Sequence, residues 1–238
     1  MRIGPFAALA LVAATAVACG GGGVFRQYEY EEDMYLSLDG SATLYVNSSI
    51  AALDALRGAS FDARPTALVD RQQIRSFYTS AVTRVTQVSL SRRSNRRFIH
   101  VRLDVDDVRR LGEAAPFAWS TYRFDRDDGL YVYRQSIGRG ANRSVGNVGW
   151  TGGELVAFRL HLPSKIAYHN TLPGNLRRGN ILVWEQLLAD RLHDVPLALD
   201  ARMETQSILY RTLLLFGTTV VAVAATFGLV IWWVLHRR

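Results

Sequence analysis

Apolar and polar residues alternate from residue 28 onward, and the alternation predicts a sheet-rich domain. Tyr28 to Leu38 has the two-residue period of a strand. Asp39-Gly40 follows, the strongest short hairpin signal, and Ser41 to Asn47 returns the chain as a second strand. Ser49 is placed to cap a short helix through Ile50 to Arg57, closed by Gly58. Asp70 opens a second helix, Arg71 to Thr79, that presents Ile74, Phe77 and Tyr78. Thr83 to Leu90 is rich in β-branched residues and reads as a strand, with Val85 on one face and Val88 and Leu90 on the other. Ser91 to Arg97 is a polar, basic turn. Phe98 to Val105 is the cleanest alternation, with Ile99, Val101, Leu103 and Val105 on one face. Asp106 or Asp107 then caps a short helix through Leu111, ended by Gly112.

A second, aromatic hairpin is expected from Ala118–Phe124 and Leu130–Ser136 around Arg126-Asp127-Asp128-Gly129. Gly138 to Gly153 holds six glycines and is expected to be a long, mobile loop. Glu154 to Leu162, Ile181 to Gln186 and Leu197 to Glu204 complete the strands. Eight or nine strands with two or three short helices predict a mixed α+β domain dominated by antiparallel sheet. No internal repeat interrupts it.

Both ends of the chain are apolar, and each changes the picture. Phe6 to Ala18 is an apolar stretch of 13 residues behind Arg2, followed by Ala16-Val17-Ala18 and then Cys19. It is too short to span a bilayer comfortably and has the form of an export signal. Leu213 to Leu235 is an uncharged run of 23 residues with Trp232-Trp233 near its end and His236-Arg237-Arg238 after it. That is long enough to cross the hydrocarbon core, and the basic tail predicts a cytoplasmic C-terminus. The expected organisation is a signal peptide at 1–18, a lipidated Cys19 with a glycine-rich tether over 19–27, an extracytoplasmic domain over 28–207, a transmembrane helix at 213–235 and a tail at 236–238. The membrane expected is the bacterial cytoplasmic membrane.

Charge excludes one class of partner. Without Arg2, Arg237 and Arg238, 25 basic residues face 21 acidic ones, too even a mixture for a nucleic-acid footprint. Cys19 is the single cysteine, so no intrachain disulfide forms. The sequence has no G-x-S-x-G elbow, no Walker phosphate loop and no H-E-x-x-H, and its histidines are scattered. No catalytic residue, metal site or cofactor is therefore expected. The aromatic residues suggest a binding surface instead: Trp119, Tyr122, Tyr131, Tyr133, Trp150 and Trp184 are candidates to line an apolar groove for a lipid or other amphiphile.

Several short segments carry a resemblance. They are Leu38 to Leu44 at the first hairpin, Phe158 to Pro163, His169-Asn170, Gly179-Asn180 leading into Ile181 to Trp184, and Pro196 to Met203 running towards the apolar helix. Together with the two anchors, they resemble the LppM family of bacterial membrane-anchored lipoproteins. That resemblance implies an acylated Cys19 and an envelope domain that binds a lipid or glycolipid, and it carries over no catalytic residue. The function expected is a non-catalytic, membrane-anchored domain that binds membrane lipids. The alternative is a structural protein that docks an envelope protein partner.

Overall fold

The computed structural model describes residues 26–172, 176–177 and 180–237. The expected signal peptide, Cys19 and most of the tether lie outside the described residues. Strands β1 (Tyr28–Leu36) and β2 (Ala42–Ser49) form the first hairpin, with Leu36 opposite Ala42. Its loop spans Ser37 to Ser41, and Gly40 adopts φ +90°, a conformation that favours glycine. Helix α1 (Ile50–Arg57) starts as expected, with the Ser49 hydroxyl accepting from Ala52 N and Gly58 closing it in the left-handed conformation. Helix α2 (Arg71–Tyr78) has its Asp70 cap and buries Ile74 and Tyr78.

Strands β3 (Thr83–Arg93) and β4 (Arg96–Val105) run further than the pattern suggested. The expected seven-residue turn shrinks to Ser94 and Asn95, both at positive φ, the geometry of a two-residue hairpin. Four flanking arginines disguised those strand ends, and each has its own partner. Arg92 donates to the Asn95 side chain, Arg93 to the Tyr28 carbonyl, Arg97 to the Pro65 carbonyl, and Arg96 pairs with Glu29. A bulge at Thr86 also corrects the expected facing of β3. It shifts the alternation by one residue, so Val85, Val88 and Leu90 all meet the inner face of β4 at Leu103, Val101 and Ile99.

Two 3-10 turns (Val108–Glu113 and Ala115–Phe117) lead into the second hairpin, β5 (Ser120–Asp127) and β6 (Leu130–Ile137). After the glycine-rich arm come β7 (Leu155–His161), β8 (Ser164–His169), the short β9 (Leu176–Arg177), β10 (Ile181–Leu187), a short helix α3 (Leu188–Leu192) and β11 (Leu197–Ser207). One sheet has the order β3-β4-β2-β1-β7-β10-β9, and the other β5-β6-β11-β8. Every pairing is antiparallel except β1 with β7. The inner residues of both sheets, together with α1 and α2, enclose one apolar core. The fold class is thus the mixed α+β, mostly antiparallel domain expected, with eleven strands among the described residues.

Helix α4 (Ile208–His236) follows β11 without an intervening loop. It is strongly apolar and buries no residue in the domain, so by length and composition it could cross a membrane. Ser207 caps it by accepting from Tyr210 N. Its first amide, Ile208 N, donates to the carbonyl of Pro163 at 3.0 Å, at the corner where the chain passes from β7 to β8. Arg211 on its first turn pairs with Glu204 of β11.

Candidate functional site

The interior between the sheets holds charge where an apolar core is the rule. The alternation of β1 directs Tyr30, Glu32, Met34 and Leu36 inward, so a carboxylate sits in the apolar register. Glu32 is 2% exposed. Arg57, at the last turn of α1, reaches down to it and forms an ion pair whose two side chains are almost wholly buried. The Arg57 Nε donates to the Tyr30 hydroxyl at 3.0 Å, and that hydroxyl donates to Glu32 Oε1 at 2.6 Å. The guanidinium also covers the rings of Tyr30 and Trp119.

Three further phenols surround this pair. Tyr133 donates to Gln135 Oε1 at 2.8 Å, and Tyr78 and Tyr122 are buried beside it. Burial pushes the hydroxyls of Tyr30, Tyr122 and Tyr133 well above the usual phenol range, and it also raises that of Tyr78. All four stay neutral at any physiological pH.

A second cation completes the cluster. Arg191, near the end of α3, is 0% exposed and lies 5.9 Å from the Trp119 ring. None of its three guanidinium nitrogens has a hydrogen-bond partner among the described residues. Burial lowers its pKa, attraction from Asp194 opposes that, and repulsion from Arg57 adds to it. Asp194 itself is held by Arg139 at 2.7 Å. Arg57 Nη1, Trp119 Nε1 and Gln135 Nε2 are also buried donors without acceptors. The hydroxyls of Tyr78, Ser120 and Tyr122 are buried there unpaired as well, so the unmatched groups of this interior are N–H donors and hydroxyls, with two arginines to one carboxylate. An unmatched buried donor costs about 1–3 kcal/mol, and an unmatched charge more. An acceptor-rich, anionic or strongly polar group is the chemistry that matches it.

The six aromatic candidates do not line one open groove. Tyr122 and Tyr133 face the charged interior as alternate positions of β5 and β6, and Trp119, just before β5, meets them there against Arg57 and Tyr30. Tyr131 is further along the same face, stacked on Phe124 with ring centroids 5.2 Å apart. Trp184 is an inward residue of β10 whose indole donates to the Asn170 side chain. Trp150 lies on the glycine-rich arm and donates to Glu29. The charged members escaped the sequence reading. Glu32 and Arg57 left a signal, an acid on the apolar face of a strand and an arginine closing an apolar helix, whereas nothing local marks Arg191.

A separate groove of about 640 Å³ shares none of these residues. The glycine-rich arm roofs it. That arm, expected to be mobile, is laced to the domain: Ala141 N donates to Leu56 O, Arg143 N to Ala55 O, and Arg96 to the carbonyls of Val148 and Gly149. Asp54, an acid in the middle of the apolar helix α1, lines the groove and is 6% exposed. Its carboxylate accepts from Phe61 N, and burial raises its pKa to about 6.

The histidines lie outside both sites. On the outer face of the larger sheet, His161 pairs with Asp33 at 2.6 Å and stacks on Tyr35. His100 bridges Asn47 and Ser91 on the same face.

No protein family and no curated protein matches this chain. Among solved structures it is similar to the folded domain of the Mycobacterium tuberculosis LppM protein, determined by NMR. The identity is 10%, the TM-score 0.43, and the match covers 78% of this chain and 95% of that one. This is a distant likeness of fold. It assigns no family and carries over no residue's role.

Proposed function

We propose that this chain is a membrane-anchored bacterial envelope lipoprotein whose extracytoplasmic domain binds, without catalysis, a lipid or other amphiphile. In this reading Cys19 is acylated, α4 spans the cytoplasmic membrane, and the tail at His236 and Arg237 is cytoplasmic. The observation that carries the proposal is the fully buried, unpartnered guanidinium of Arg191 beside Arg57 and Trp119. The oxygen-rich head group of an amphiphile supplies the acceptors and negative charge that this interior lacks, and the aromatic rings supply apolar contact. The direct passage from β11 into α4 supports a domain held close to the bilayer from which such a ligand would come.

The test is mass spectrometry of the full chain extracted gently from membranes, with its lipid extract, for the wild type and Arg191→Met. The proposal expects an acylated N-terminus at Cys19, a stoichiometric amphiphile on the wild type, and loss of that amphiphile from the variant. No retained amphiphile on wild type, or equal retention by the variant, would refute the binding proposal. A stoichiometric protein partner in its place would favour the docking alternative.

A further inference from the structure

We infer that the groove beneath the glycine-rich arm is a second, separate binding site, for a hydroxyl-rich and uncharged ligand of the carbohydrate class. The walls are the connection between α1 and α2, the tip of the β3–β4 hairpin, and the arm itself. Its volume is that of small-molecule sites. Arg64 is clamped on Asp62 and Arg96 on Glu29. Arg143 forms no ion pair among the described residues; it donates to the Ala59 carbonyl and the Ser60 hydroxyl, and its charge is offset by that of Asp54. The groove thus has no surplus of positive charge to select a phosphate or carboxylate.

Asp54 forms no direct ion pair among the described residues, is buried at the groove, and accepts one protein hydrogen bond, from Phe61 N. Its remaining lone pairs call for donors, and ligand hydroxyls provide them. Asn95 and Asn147 stand at the rim with their carbonyl oxygens engaged by Arg92 and Gly149 N, while their amide nitrogens donate to no protein acceptor among the described residues. Phe61, Pro65 and Val148 add the apolar surface against which the C–H face of a sugar ring packs. A buried carboxylate acceptor, two amide donors and an apolar patch in a field without net charge suit a polyol better than an ion or an aliphatic chain.

The experiment is a glycan microarray probed with the full chain in detergent micelles whose head group carries no sugar. It is followed by calorimetric titration of an oligosaccharide the array captures. Asp54→Asn keeps an acceptor for Phe61 N but removes the carboxylate, and is expected to weaken binding about tenfold or more. Ser144→Trp, on the arm side of the groove, is expected to abolish it by filling the space. Arg191→Met, outside the groove lining, is expected to leave it unchanged, which separates this site from the interior one. Failure of the array to capture the wild type, or binding that survives either groove variant in a folded protein, would overturn the inference.

Discussion

Arg191→Met should make the ligand-free protein more stable. Methionine keeps the length and apolar volume of the arginine stem and discards a cation whose three nitrogens have no acceptor. Exchanging buried ionic groups for apolar volume stabilises folded domains by about 1–4 kcal/mol. A domain of this size converts each kcal/mol into roughly 2–4 °C, so the melting temperature should rise by roughly 2–16 °C. Glu32→Gln is the control with the opposite sign. It leaves the Arg57 charge buried beside a neutral amide, a change that costs about 3–5 kcal/mol. The assay is thermal unfolding of delipidated full chain in micelles, followed by near-ultraviolet circular dichroism, where the signal of the domain's packed aromatic rings is lost on unfolding. A lower melting temperature for Arg191→Met would mean that the ligand-free protein already satisfies this charge. The argument from surplus donors would then fail, and the head-group proposal with it.

Other expectations follow from single contacts. The raised pKa of Asp54 means that the folded state holds this proton more tightly than the unfolded chain does. The associated stability is fully present below the ordinary aspartate pKa and lost as the pH climbs through about 6. The advantage of Asp54→Asn over wild type in urea midpoint should therefore grow between pH 4 and 7, and a constant difference would contradict the assignment. The pKa of His100 is lowered, first by burial and then by Arg93, so its ring resonances should titrate below those of a free histidine in a pH series by NMR. Gly138→Ala should cost about 1–3 kcal/mol in a denaturant titration, because a Cβ there would lie 2.5 Å from the Trp119 carbonyl oxygen. Ser49→Ala removes the hydroxyl that accepts from Ala52 N and should cost about 1 kcal/mol.

Local chemistry made much of the fold legible. Ser49, Gly58 and Asp70 act through neighbours within three or four residues, so their caps could be read directly. The extra residue at Thr86 could not be read, because a bulge is defined by the partner strand and not by its own sequence. Strand β8 was missed for a related reason. It starts one residue after Pro163, lies at a sheet edge, and leaves Lys165 and Tyr168 exposed, so no burial imposes an alternation on it. The parallel pairing of β1 with β7 joins residues more than a hundred positions apart and leaves no local trace. The candidate sites divide in the same way. Glu32 and Asp54 stand out as acids in apolar registers, while the surplus around Arg191 exists only once α3 is packed against Trp119.

The seam between β11 and α4 has a mechanical consequence. The Ser207 cap, the bond from Ile208 N to Pro163 O and the Arg211–Glu204 pair leave no swivel between the domain and its helix. The apolar stretch of α4 from Leu213 to Leu235 extends about 35 Å, against roughly 30 Å of hydrocarbon. If it spans a bilayer as proposed, such a rod leans over in a thin one and straightens in a thick one. Because the sandwich is clamped to the rod, that lean passes undamped to the two sheets. Local lipid composition would then set which flank of the domain is pressed towards the headgroups and which is turned to the outside, with no change in the domain's own conformation.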